Sequence, residues 1–476
     1  LIGEEVLGPA FLPVFMRELD IESEKSAWSF ANTVLTLQAI LLVAVACVLC
    51  LAPSLAVRLL THWGPDSAPE KFELATRSVR TLGPAVIGLS LGSTTYVLLN
   101  GYKRFFLAAF GDAVWKFAVV FFLITGAVLA HDNAQMLMWG LVAGSLCKVG
   151  THLFGLRDKL RRFRPEFAVS HPAFKRFCWL ALPLLAGILM AKVRDEVNNI
   201  YLLSALDQSG LMQANSMGRK LQSTLLFLVP YTLSIAAFPF FCELVDKNDH
   251  QKLGELVTRF GRMLLSVFAP FSLFVAVAAV PFTSLIFKGG HFDAVAVQRT
   301  AVSLACYTFV LPAAAIEALV MQAFFANRRM LAVTLIGILF SSLSILVSWV
   351  GLQVSGGREL LLLAFIAGGF TLSRAFKCVT LVEMLKKNAP VFPFVETTAF
   401  MFRVGVAAGL ASGASWLLLE QVPMIADLHG RMGDLLKLSV AGAAFGLVYL
   451  SAAYALRIGE VRELFALAWA KVRKQA

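Results

Sequence analysis

The chain has 476 residues, of which 58% are hydrophobic and 15% charged, and a formal net charge of +12. A soluble globular domain carries about 25% charged residues, so this composition excludes a disordered chain, a secreted disulfide scaffold and an ordinary soluble enzyme. It fits a polytopic helical membrane protein, in which each span takes about 20 largely apolar residues; the apolar runs are continuous and do not alternate as barrel strands do.

Thirteen apolar segments follow one another. The first, Leu1–Met16, is half length. The full segments fall near 30–61, 79–100, 105–130, 134–156, 177–204, 211–242, 260–287, 300–326, 330–354, 359–385, 398–419 and 434–456. Short loops with Gly, Pro, Asp or Asn separate them, as at Gly64-Pro65-Asp66 and Ser355-Gly356-Gly357. The expected fold is therefore all-α and polytopic, with about twelve full spans and one half span. All seven cysteines lie in or beside apolar runs, and Cys47 with Cys50 reads as a pair of small helix residues, not a redox or zinc motif.

Basic residues mark the sides of the membrane. Loops on one side hold 24 Lys and Arg, seven of them between Arg157 and Arg176, and alternate loops hold 7. The positive-inside rule puts the 24-residue side, the 157–176 loop and the C-terminus in the cytoplasm. The excess charge thus reads as a topology signal, and no nucleic-acid partner is expected.

The chain also echoes itself. Ala10-Phe11-Leu12-Pro13-Val14-Phe15 resembles Ala237-Phe238-Pro239-Phe240-Phe241, with the prolines 226 apart. Tyr102-Lys103-Arg104-Phe105-Phe106-Leu107-Ala108 resembles Asn327-Arg328-Arg329-Met330-Leu331-Ala332, with the arginines 225 apart. Two matches at nearly one offset predict two homologous halves, a common transporter build. The division is 1–160 for the N-terminal lobe, 161–176 for a cytoplasmic linker, 177–388 for the C-terminal lobe, and 389–476 for two added helices and a basic tail. The counterpart of the helix near 177 would begin about fifty residues before Leu1, so the chain reads as N-terminally incomplete.

Charges within the spans carry the functional signal, because one at the bilayer centre costs at least about 2.5–3.5 kcal/mol. Arg58, Arg374, Lys377, Arg403 and Lys437 stand close to predicted helix ends and can snorkel. Lys192, Arg194, Asp195 and Glu196 form a dense group, in which helical spacing puts Lys192 beside both acids and turns Arg194 toward Asn198. They either lock neighbouring helices as an ion-pair cluster or line a polar cavity that binds or gates a charged substrate. Arg219 and Lys220 stand near Asn215, Ser216 and Gln222; they either snorkel or recognise phosphate or carboxylate. Glu317 is a coupling carboxylate or the buried partner of one of these cations. Lys116 and Asp112 form an i, i+4 pair, and Lys148 has no local partner. Nucleotide-binding loops, zinc-protease motifs, nucleophile elbows and metal-ligand clusters are absent from the sequence, so neither an enzyme nor a cofactor is expected.

Several stretches resemble a known family. Glu4 through Phe15 resembles the "AEGAFSxAFVPV" segment of the MurJ/MviN lipid II flippase family. Leu99 to Phe105 resembles its "LNxxxRF" stretch, Phe287 to Phe292 its "LFxxGxF" loop, and Gln322 to Arg329 its "xAFYAxxD" motif. The similarity runs from the family's second helix to its fourteenth. It implies the fold of the multidrug/oligosaccharidyl-lipid/polysaccharide exporter superfamily, two six-helix lobes plus two helices. It also implies alternating-access movement of a lipid-linked peptidoglycan precursor to the outer leaflet, with cell-wall synthesis machinery as partner. The family's eighth-helix arginine corresponds to Arg219, or to Lys220 if a one-residue insertion is moved upstream; the first is favoured. Its acidic or amide position in helix seven corresponds to Asn198. The Lys192–Glu196 group departs from the family, where this stretch is mostly uncharged. A lipid-linked diphosphate sugar needs cations for the diphosphate, for which Arg219 and Lys220 are candidates. It needs a polar cavity, for which Lys192, Arg194, Asn198 and Asn199 are candidates. It needs an apolar groove for the tail, and the last two helices are candidates for that. Asp195, Glu196 and Glu317 would gate the site or pair its ions. The alternatives are a flippase for another lipid-linked oligosaccharide and a non-transporting membrane scaffold.

Overall fold

The computed structural model describes residues 2–463 apart from 131–132, 207, 229–236, 239, 242, 246, 291, 328 and 423–429. Pro239 of the repeat, His291 and Arg328 of the family-like stretches, and Lys471, Arg473 and Lys474 of the basic tail lie outside the described residues. The described residues are almost entirely helical, and their one β pairing is a bridge between Gly289 and Phe292.

Two compact units divide the chain, Leu1–Val193 and Arg194–Ala476. The first holds α1 (Ile2–Arg17), α2 (Glu24–Leu51), α3 (Pro53–Leu60), α4 (Pro69–Gly101), α5 (Phe105–Thr125), α6 (Asn133–Gly155) and most of α7 (Pro172–Glu196). Local chemistry sets the ends. Ser23 caps α2 by accepting from the Ser26 N–H, and prolines open α3 and α4, where a missing N–H costs nothing. The run expected at 30–61 is thus two helices, broken at Ala52-Pro53. Its first helix starts at Glu24 because a stripe of Ser26, Ser29, Asn32 and Thr33 finds polar partners on the 157–171 loop. The core is aromatic: Phe11 stacks on Phe15 and Phe30 at 5.6 and 5.0 Å, and Phe177 meets Phe30 edge-on at 5.8 Å. Asp112 takes Lys148 at 2.6 Å, a pair between α5 and α6 in place of the expected local pairing with Lys116.

The second unit holds α8 (Leu211–Leu228), α9 (His250–Val277), α10 (Ala279–Phe287), α11 (Ala294–Thr308), α12 (Val310–Ala326), α13 (Met330–Ser355), α14 (Glu359–Lys386), α15 (Phe394–Gln421) and α16 (Gly430–Ala455). Asp249 and Asp293 cap α9 and α11 through backbone N–H groups of Lys252 and Ala296. Gly356, at φ +55, closes α13 in the left-handed region that favours glycine. α12 is the axis of the core, with Leu311, Ala315, Leu319 and Val320 fully buried among α9, α11 and α14. The two added helices dock on α9 and α10: Tyr449 donates to the Ser266 carbonyl, and Ser284 donates to Asp434 at 2.6 Å.

Ten helices among the described residues are long and apolar enough to cross a membrane, or eleven if α11 and α12, bent by 43° at Phe309, count as one span. Twelve full spans were expected. The difference is the 211–242 segment, which is described as continuous helix only over Leu211–Leu228 and is rich in polar residues there. Ile40, Leu41 and Val43 on α2, Phe117 and Phe121 on α5, and Leu335 and Leu339 on α13 are all exposed. That is the surface a helix presents to lipid once its backbone is internally bonded.

Candidate functional site

The second unit concentrates buried charge around one aromatic ring. Four elements contribute. The end of α7 carries Arg194 and Asp195. A π-helical turn, Val197–Tyr201, carries Asn198 and Asn199. One face of α8 carries Asn215, Arg219 and Gln222, and α14 carries Phe370, Arg374 and Lys377. Spacings of four and three residues put each of the last two sets on a single helix face. A π turn inside a helix is costly and frequently marks a functional site.

Asp195 accepts from Arg194 at 2.7 and 2.9 Å and pairs with Arg219 at 2.9 Å through the same oxygen. Its position on the helix does not turn Arg194 toward Asn198, as spacing suggested, because the guanidinium folds back on its neighbour. Asn198 instead donates to Ser344 of α13 at 3.2 Å, and Asn199 accepts from Asn215, which in turn accepts from Ser303 at 3.2 Å. The guanidiniums of Arg194 and Arg219 each lie 4.8 Å from the Phe370 ring centre, and that of Arg374 lies 5.7 Å away. An aromatic face attracts cations through its quadrupole, so one ring gathers three arginines that would otherwise repel.

Glu317 of α12 receives Arg374 at 2.8 Å and Lys377 at 2.8 Å. Glu317 is 1% exposed, and its two partners are about one-fifth exposed. Arg374 and Lys377 therefore do not snorkel; they are the cations that neutralise Glu317. The group as a whole has four cations and two carboxylates, a surplus of two positive charges. Nearby, Asn198 Oδ1 on the π turn, Gln222 Nε2 on α8 and Thr300 Oγ1 on α11 are buried without hydrogen-bond partners. Unsatisfied buried polar atoms are few in native proteins, and here they border a cationic cluster.

The structure thus brings Arg194, Asp195 and Arg219 together, sets Asn198 and Asn199 beside them, and joins Glu317 to the group through Phe370. Lys220 lies on the exposed stripe of α8 with Ser216 and Thr224, one step around the helix from Arg219. Lys192 belongs to the first unit and is half-buried, and Glu196 is exposed at the end of α7. Sequence reasoning missed Phe370, Arg374 and Lys377 as site residues. The signal was present: both cations stand well inside a 28-residue helix and one turn apart on the face of Phe370.

A chain of spanning-length helices with a cationic cluster inside one unit is a polytopic membrane protein with the fold of a transporter. It belongs to the lipid II flippase MurJ family, whose model matches residues 1–427. The Burkholderia cenocepacia lipid II flippase MurJ is 24% identical over 69% of this chain and 64% of its own length. A probable lipid II flippase MurJ of Rickettsia prowazekii is 23% identical over 72% of this chain and 67% of its own, so the chain spans about two thirds of the length of these relatives. A probable lipid II flippase MurJ of Bdellovibrio bacteriovorus is 21% identical over 98% of this chain and 87% of its own. Among solved structures, lipid II flippase MurJ in an inward closed conformation superposes with a TM-score of 0.73 at 15% identity, over 96% of this chain and 89% of that one. An inward-facing multidrug resistance MATE family transporter of the MOP superfamily superposes with a TM-score of 0.68 at 12% identity, over 81% and 87%. These structural matches establish the fold, all-helical as expected.

Proposed function

We propose that this protein moves a lipid-linked peptidoglycan precursor, lipid II, from the inner to the outer leaflet of a bacterial cytoplasmic membrane by alternating access. The observation that carries the reading is the gathering of Arg194, Arg219 and Arg374 around Phe370, which together with Lys377, Asp195 and Glu317 leaves a surplus of two positive charges. A diphosphate matches that surplus, and guanidiniums bind its oxygens in bidentate pairs. Asp195 holds Arg219 in place until the substrate's phosphates replace it. Asn198, Asn199 and Gln222 offer polar groups to the sugar. The tail runs along α15, where Gly405, Gly409 and Gly413 form a stripe with nothing within 4 Å of an added Cβ.

The four-part division at 1–160, 161–176, 177–388 and 389–476 supplies the rocking lobes, the linker and the two tail helices. The 24-residue basic side and the C-terminus face the cytoplasm, and cell-wall synthesis machinery is the partner that would consume the product. A second reading, another lipid-linked oligosaccharide, draws on Asp195 and Glu317, which already neutralise two of the four cations and favour a less charged headgroup.

The test is depletion and complementation. The protein is expressed in a bacterium depleted of its own lipid II flippase, and outer-leaflet lipid II is read directly. Rescue is expected, and Arg219→Ala at normal protein levels is expected to abolish it. Rescue by Arg219→Ala equal to wild type would remove Arg219 from the site; correct insertion without rescue by the wild type would favour the second reading.

A further inference from the structure

The first unit contains a different basic cavity, unconnected with the transport reading. It has a volume of about 500 Å³ and is walled by the start of α2 and by the loop that follows α6. The loop is a built element. Asn32 Nδ2 donates to the Arg162 carbonyl at 3.0 Å, and Ser29 donates to the Glu166 carboxylate at 2.5 Å. The backbone N–H groups of Glu166 and Ala168 donate to Thr36 and Thr33, both at 3.1 Å. Glu24 fixes the loop's start by taking Lys159 at 2.6 Å and Arg162 at 2.7 Å.

Those contacts occupy Glu24 and Glu166 and leave cations over. Lys25, Arg161 and Arg164 line the cavity, and among the described residues no carboxylate lies within ion-pair distance of them. The wall carries one acid, Glu166, which Ser29 already holds. A second feature points to a ligand. Asn32, which lines this cavity, is 2% exposed, and its Oδ1 has no donor. The cavity therefore presents positive charge and a buried acceptor, which together suit a phosphate ester that also carries a hydroxyl.

The surroundings indicate where such an ester comes from. Leu160, Phe163, Phe167 and Val169 of the loop are 40–60% exposed, interleaved with the arginines. Eight residues beyond Asn32, about 12 Å along the helix, α2 begins to present Ile40, Leu41 and Val43 outward. The cavity thus sits at the end of a lipid-facing helix, beside aromatic and basic residues of the kind that lie at a bilayer interface.

We infer that this cavity binds the headgroup of an anionic, hydroxyl-bearing phospholipid, such as phosphatidylglycerol. Lys25, Arg161 and Arg164 take the phosphodiester. A headgroup hydroxyl donates to Asn32 Oδ1, and Phe163 and Phe167 lie among the acyl chains.

Native mass spectrometry of the purified protein, with lipid added back, tests this. Phosphatidylglycerol is expected to bind about tenfold better than phosphatidylcholine and about fivefold better than phosphatidylmethanol, which has the same charge and no hydroxyl. Arg161→Gln with Arg164→Gln is expected to remove the first preference at an unchanged Tm. Lys71→Gln with Arg77→Gln, on the sparsely charged side, is expected to keep it. Retention of phosphatidylglycerol by the loop double variant would overturn the site, and equal binding of phosphatidylglycerol and phosphatidylmethanol would overturn the role of Asn32. Displacement of the lipid by equimolar glycerol 3-phosphate would overturn the lipid as occupant and assign the cavity to a soluble phosphate ester.

Discussion

Glu317 lies between Arg374 and Lys377 at 2.8 Å from each, in a part of the unit where it is 1% exposed. Removing one member of a buried pair leaves the others uncompensated, at a cost of about 3–5 kcal/mol. Glu317→Gln is therefore expected to lower the unfolding midpoint in detergent by several degrees, and Glu317→Gln with Arg374→Met and Lys377→Met to recover most of it. A single variant as stable as wild type would show that the triplet is not under charge stress. Exposed pairs behave differently. Arg104 donates to both oxygens of Asp158, at 2.6 and 2.7 Å, and holds its carboxyl down at about 2, below the usual 3.8. A depressed acid stabilises the fold above its ordinary pKa, and that contribution is lost as pH falls toward the lowered value. The Tm difference between wild type and Asp158→Asn is expected to stay constant from pH 5 to 8 and to shrink below about pH 4. A difference that instead grew with acid would contradict the pairing. Neither partnership was legible in the sequence. Helical spacing exposes neighbours three and four residues apart, whereas Glu317 meets Arg374 across 57 positions. Asp112 meets Lys148 on the next helix instead of Lys116 on its own.

Elements were easier to read than partners. Continuous apolar runs give their own length, and the bilayer fixes how much length a span needs, so nearly every span was visible as a segment. The ends were not. α2 and α9 begin in polar stretches, at Glu24 and His250, where hydropathy falls but capping and tertiary contacts extend the helix. α8 shows how an element positions the site. Gly218 precedes Arg219, and a Cβ there would lie 2.8 Å from Ser303 Cβ and 2.9 Å from the Leu304 N, both on α11. The absent side chain lets the two helices approach closely, as small residues do at membrane helix contacts. Gly218→Ala is expected to push α8 off α11, to destabilise by about 1–3 kcal/mol, and to reduce transport by displacing Arg219. Full complementation by Gly218→Ala at wild-type Tm would show that this contact does not set the position of Arg219.

At the scale of the whole molecule, orientation is carried by many weak signals and not by one residue. Each basic loop adds a little to the preference for the cytoplasm, and the 157–171 loop adds structure to charge, since the loop is held on α2 by five hydrogen bonds and two ion pairs. The alternate loops of the sequence are sparser, with 7 Lys and Arg. At the turn after α13, Gly356 and Gly357 take positive φ and Arg358 leads into α14. Two elements therefore report the topology independently of transport. In a variant lacking the native cysteines, a single cysteine replacing Arg164 is expected to react with a membrane-impermeant maleimide only in inverted vesicles. One replacing Arg358 is expected to react only in intact cells. Labelling of both from the same side would break the alternation of loops on which the span count rests. Labelling of both with sides exchanged would keep the span count and invert the orientation. In that case Arg161 and Arg164 would meet the outer leaflet, and the cationic cluster would have to load its substrate from the side now assigned to release.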